Sequence, residues 1–128
     1  MDYLLLTAGI LALGATIGHF TMGSKDFLKP ILRSEADEIP KKVMHSLFHY
    51  MSVFMVLSTV ILLGFSMKNS LIFDSTDDVI KVIGFFYLGI AIVQFIIAAT
   101  SKINNGIFKL FQWVFWILIA AFSLLSVY

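Results

Sequence analysis

The sequence predicts an all-α fold: four transmembrane helices in an up-down bundle. Three observations lead there. Four apolar runs, at residues 3–22, 43–67, 79–99 and 107–127, fill almost the whole 128-residue chain. A spanning helix needs about 20 mostly apolar residues, and each run qualifies. The composition is 59% hydrophobic and 13% charged, against about 25% charged in a soluble domain. A water-soluble chain this short has no core large enough to hide so much apolar surface. Finally, the runs are continuous rather than alternating. That selects helices over barrel strands as the way to satisfy the backbone in lipid. Residues 1–128 read as one integral membrane domain.

The first run is expected to be a retained helix rather than a signal peptide. Asp2 precedes it where a basic segment would stand, and no small-x-small cleavage signal stands out. Gly14 and Gly18 form a small-xxx-small pair that lets another helix approach closely. Packing inside the bundle is the plainer reading, and self-association the sharper one. The connection at 23–42 is the longest and most polar. Ser24 is placed to cap a short amphipathic turn bearing Phe27, Leu28, Ile31 and Leu32, lying in the headgroup plane. Pro40 suits the first turn of the second helix, with Asp37 or Glu38 at its positive end. The second connection, 68–78, carries Lys68, Asp74, Asp77 and Asp78, and Thr76 or Asp77 can cap the third helix. Asn104-Asn105-Gly106 is a turn signal before the fourth.

Seven of the nine basic residues fall in the first and third connections or at Lys109. Basic loops stay in the cytoplasm, so both termini are expected outside, with the chain in a bacterial cytoplasmic (inner) membrane. A net charge of +1 implies no nucleic-acid partner. The absence of cysteine removes disulfides, thiolate nucleophiles and Cys-ligated metal centres.

A weak internal repeat aligns Gly18-His19-Phe20 with Val93-Gln94-Phe95, and Leu47-Phe48-His49-Tyr50 with Leu110-Phe111-Gln112-Trp113. Two repeated helical hairpins would set His19, His49, Gln94 and Gln112 at one depth around a shared axis. Even without a repeat, His19, His45, His49, Gln94 and Gln112 all lie in the cytoplasmic half of their spans. The outer half offers hydroxyls such as Thr7, Ser58, Thr59, Ser123 and Ser126, which can bond their own helix.

His and Gln in hydrocarbon seek the bundle interior or water, and an ionisable residue there is a site hypothesis. His45 and His49, four apart, share a helix face, and His19 would complete a three-imidazole site for zinc, copper or ferrous iron. His19 and His49 would alternatively serve as axial ligands to a haem. Against these stand plainer readings. His45 faces headgroups, and His19 and His49 tie helices together through Gln94, Gln112 or a backbone carbonyl. A small-molecule or lipid-headgroup site is a further alternative. Trp113 and Trp116 share a face, as interfacial anchors or as a wall for a planar ligand.

No Asp, Glu or Arg lies deep in any run, which takes the main part from proton-coupled export. Signatures of hydrolase, zinc-protease and nucleotide chemistry are missing too.

His19-Phe20-Thr21-Met22-Gly23, then Pro30-Ile31-Leu32, then Phe48-His49-Tyr50 resembles a group of small uncharacterised bacterial four-helix membrane proteins. Ser24 stands where that group usually carries an acid, and His45 has no counterpart. The resemblance covers about the first half of the chain. It implies the fold and the bacterial inner membrane, and it singles out His19, Gly23, Pro30 and His49. It implies no activity.

The resulting expectation is a non-enzymatic accessory or binding protein whose partners are the bilayer and either a second copy or another membrane subunit. Its site would be built from His19, His49, Gln94, Gln112 and Trp113, with the first connection as docking surface. Two alternatives remain: a metal- or haem-binding redox or transport protein using His19, His45 and His49, and a small-solute transporter acting as a homo-oligomer.

Overall fold

A computed structural model describes residues 1–67 and 76–128. Every regular element among them is helical. Lys68 and Asp74, expected in the second connection, lie outside the described residues.

Helix α1 spans Tyr3–Gly18 and starts on the Asp2 side chain, which accepts the Leu5 N–H. It does not end near residue 22 as expected. A π-helical segment, His19–Leu28, carries it into the short helix α2, Lys29–Leu32, so that Tyr3–Leu32 is one apolar run of 30 residues. Gly23 lies buried inside this run without a positive φ, so it breaks nothing. Ser24 caps no turn; its carbonyl accepts the Lys29 N–H in the wider π winding. Pro30 supplies a cause for that winding. Its ring would strike the carbonyl four residues back in a regular α-helix.

Helix α3 spans Glu38–Ser66, starting about one turn before the apolar run does. Pro40 sits in its first turn, as the sequence predicts, and Lys41 pairs with Glu38 at 3.1 Å. Helix α4 spans Thr76–Thr100, with Asp77 and Asp78 in its first turn. The Asn-Asn-Gly turn follows, with Asn105 left-handed at φ 59°. A Cβ on Gly106 would strike Ser101 and the Ala98 carbonyl, so the turn closes only around glycine.

The fourth run is not one helix. A single turn, α5 (Gly106–Lys109), is broken from α6 (Gln112–Leu125) at Leu110 and Phe111. The Trp113 indole donates to the Ile107 carbonyl at 3.1 Å, capping backbone that the break exposes. Three helical runs, Tyr3–Leu32, Glu38–Ser66 and Thr76–Thr100, are long and apolar enough to cross a membrane. At 14 residues, α6 alone is short of that length.

Helix α1 packs along α3, and α4 along α6, with α1 also against α6. Both pairs are antiparallel. Asp2 meets Ser66 at one end of the first pair and His19 meets Ser52 towards the other. In the second pair, Lys81 lies over Tyr128 while Gln94 meets Gln112. Leu5, Ala8, Ala12, Met55, Leu62, Ile83, Tyr87 and Ile119 form the core. Two glycines allow close approach. A Cβ on Gly9 would lie 2.6 Å from Leu63 Cδ2, and one on Gly84 would lie 2.8 Å from Leu124. Gly14 and Gly18 face open space, so that pair does not pack inside the bundle. The outer faces are strongly apolar: Val53, Leu57 and Val60 on α3 and Val82, Phe85, Val93 and Ile97 on α4 are all exposed.

Candidate functional site

His19 opens the π-helical segment and turns toward α3. Its Nε2 lies 2.8 Å from the Ser52 hydroxyl and 3.2 Å from the Phe48 carbonyl. A carbonyl only accepts, so the geometry puts the imidazole proton on Nε2. Ser52 in turn donates to the Phe48 carbonyl at 3.0 Å. The His19 ring also stacks on Phe48, with centroids 3.9 Å apart and planes 16° from parallel. Gly23 lies against this stack: a Cβ there would be in ordinary contact with both rings, at 3.6 and 3.7 Å. The His-x-x-x-Gly spacing and the aromatic before His49 thus meet physically, and the aromatic makes the contact.

His49 itself is exposed. It pairs with the half-buried ring of His45, centroids 4.8 Å apart. Among the described residues, no group of three or more His, Asp or Glu side chains is disposed to hold a metal ion. His19 Nε2, the nitrogen that faces α3, is already engaged with Ser52 and Phe48.

Gln94 and Gln112 do meet. Gln94 Nε2 donates to Gln112 Oε1 at 3.0 Å, and Gln94 Oε1 accepts the Trp116 indole N–H at 2.7 Å. Trp116 is only 8% exposed and stacks on the fully buried Tyr87. It is therefore an interior residue, not an interfacial anchor. Trp113 is half-buried and packs edge-on against Phe95. Among the described residues, no hydrogen bond joins His19 or His49 to Gln94 or Gln112. The four-residue constellation does not assemble: His19 clasps Ser52 and Phe48 in one antiparallel pair, Gln94 clasps Gln112 and Trp116 in the other, and His49 joins neither. The positions that the repeat equates, His19 and Gln94, each clasp within their own pair.

The hydroxyls do more than the sequence suggests. Thr16 and Thr59 meet at 3.1 Å between α1 and α3 while each also bonds its own helix. Ser58 reaches Tyr87 OH at 2.7 Å and so joins α3 to α4. The Ser123 hydroxyl is buried with no partner among the described residues. Spacing hinted at part of this. Ser52, Met55, Thr59 and Leu62 fall at helical intervals on one face of α3, which marks an inward stripe.

These features define an all-helical protein with three helices fit to cross a membrane and two interior polar clasps. No family model, curated protein or solved structure matches the chain.

Proposed function

We propose that this chain is a small multi-pass protein of the bacterial inner membrane with a non-enzymatic, accessory or binding role. In this reading α1, α3, α4 and the α5–α6 pair form a four-helix up-down bundle with both termini outside. One observation carries it. The outer faces of the long helices are apolar, whereas His19, Ser52, Gln94, Gln112 and Trp116 spend their polar atoms on neighbouring helices. That is the pattern of a chain solvated by lipid and held together by interhelical bonds. The resemblance of 19–32 and 48–50 to small bacterial membrane proteins supports the same reading. The basic residues Lys25, Lys29 and Arg33 with exposed Phe27 offer a docking surface at the cytoplasmic end.

The test is fractionation followed by spectroscopy. The protein should stay with membranes through an alkaline carbonate wash. Gently purified in detergent, it should carry neither a Soret band nor stoichiometric metal. Release by carbonate overturns the membrane assignment. A stoichiometric metal or haem overturns the accessory role.

One observation favours a second reading. The neighbouring rings of His45 and His49 give two imidazoles on one helix face, so a metal could be held there with ligands from another subunit. Elemental analysis of the protein before and after His49→Ala decides it.

A further inference from the structure

The apolar outer face of α4 is not flat. Phe85, Phe86, Gly89, Ile90, Val93, Gln94 and Ile97, with Leu110 from beyond the turn, line an open groove of about 680 Å³. The α4 residues recur at helical spacing, so the groove runs along one helix face. Gly89 forms its gap: a Cβ there would meet nothing within 4 Å. From Phe85 to Ile97 the helix rises about 18 Å. One leaflet of hydrocarbon is about 15 Å deep.

The two ends of the groove differ. Phe85 and Phe86 lie near the middle of α4, whereas Ile97 and Leu110 lie beside the turn that carries Lys102 and Lys109. Both lysines are exposed, and neither belongs to an ion pair among the described residues. No acidic residue follows Asp78 in the chain, so the turn itself and its neighbours in the chain carry no carboxylate. Gln94 sets one amide into the otherwise apolar wall, and only one of its two amide hydrogens is committed to Gln112.

From this we propose that the α4 groove is a binding site for an anionic glycerophospholipid. One acyl chain lies along Phe85–Ile97, with its methyl end at the phenylalanines. The phosphate sits at Lys102 and Lys109, and Gln94 is in reach of the ester region. An acyl chain fits the length and apolarity of the groove. The uncompensated lysines at one end select a negative headgroup over a zwitterionic one. Anionic lipid is abundant on the cytoplasmic side, where basic residues near the surface attract it. The proposal rests on the membrane reading above.

Native mass spectrometry of the detergent-purified full chain tests it, using dioleoyl phosphatidylglycerol and dioleoyl phosphatidylcholine as probes. The expected result is retention of phosphatidylglycerol at least tenfold over phosphatidylcholine. Lys102→Gln/Lys109→Gln should bring the two lipids level. Gly89→Leu, which fills the groove without touching the helix packing, should lower retention of both. Should Gly89→Leu fold poorly, the surface lysine pair still decides the matter. Equal retention by the unmodified protein, or a preference that survives both variants, overturns the proposal. So does a Gly89→Leu protein that loses a dimer but no lipid, since the groove would then seat a helix of a second copy. A protein that needs no detergent refutes the membrane reading itself. One that needs detergent yet shows no anionic preference refutes only the lipid site.

Discussion

His19 Nε2 and the Ser52 hydroxyl, 2.8 Å apart, tie the π-helical continuation of α1 to the inward face of α3. Ser52 is buried, and the His19 ring that reaches it stacks on Phe48. One feature lets it form: Ser52 is one turn beyond Phe48, where its hydroxyl meets the same carbonyl as the imidazole.

A double-mutant cycle of His19→Ala and Ser52→Ala measures the bond apart from the lost stacking. Interhelical hydrogen bonds in membranes couple by about 0.6 kcal/mol on average and about 1.7 kcal/mol at most. A coupling in that range is expected from unfolding in mixed micelles. Strict additivity would show that the two side chains do not interact in the folded protein.

Gln94 has two commitments, to Gln112 and to the Trp116 indole. Gln94→Leu leaves both partners unpaired inside the protein, at a cost of about 1–3 kcal/mol. Adding Gln112→Leu removes one of those orphans, so the double variant should be no less stable than Gln94→Leu alone. Trp116 emission, read in a Trp113→Phe background, should shift in both variants because the indole loses its acceptor. Stability losses that simply add would contradict the amide–amide bond.

Much of the fold was legible in local sequence, and the site was legible only in part. Length and continuity of apolar runs are local properties, so the helical class followed from them. The ends of the runs did not. Hydropathy ends the first run near Met22, but Gly23 and Ser24 are helical, wound wider ahead of Pro30. Hydropathy likewise starts the second run past Lys41 and Lys42, which are polar yet already inside α3. The break before Gln112 is stabilised by a tertiary bond from Trp113, and periodicity carries no trace of that. Among site residues, His19 and the glutamines were marked by being polar in apolar surroundings. Ser52, Ser58 and Thr59 were invisible by that criterion, because a hydroxyl can always bond its own helix. Only packing reveals that those hydroxyls also cross to a neighbouring helix or side chain.

The glycines of α1 separate packing from exposure. Gly9→Ala places a methyl 2.6 Å from Leu63 Cδ2 and 3.1 Å from the Leu63 backbone nitrogen. The side chain can yield, but the backbone yields less, and overpacking of this kind costs about 1–3 kcal/mol. Gly14→Ala meets open space inside α1 and should leave stability unchanged or raise it by up to about 1 kcal/mol, since alanine is the better helix former. Thermal unfolding in detergent compares the two. Equal losses would mean that α1 presents a different face to α3.

The shortest of the long helices is the last, and the cysteine-free chain makes its topology directly measurable. Helix α6 has 14 residues, about 21 Å of rise, against a hydrocarbon core of about 30 Å. It crosses only if α5 and the Leu110–Phe111 break supply the missing length. Asn104 and Tyr128 flank this stretch, and both are exposed. Single variants Ser34→Cys, Asn104→Cys and Tyr128→Cys, treated in intact cells with a membrane-impermeant maleimide, therefore read the whole arrangement. Tyr128→Cys should label from outside, while Ser34→Cys and Asn104→Cys label only after the membrane is opened. Inversion of all three would reverse the orientation argued from the lysines. Labelling of Asn104→Cys and Tyr128→Cys from one side would make α6 a helix that enters the membrane without crossing it, because its 14 residues would then have nothing to extend them.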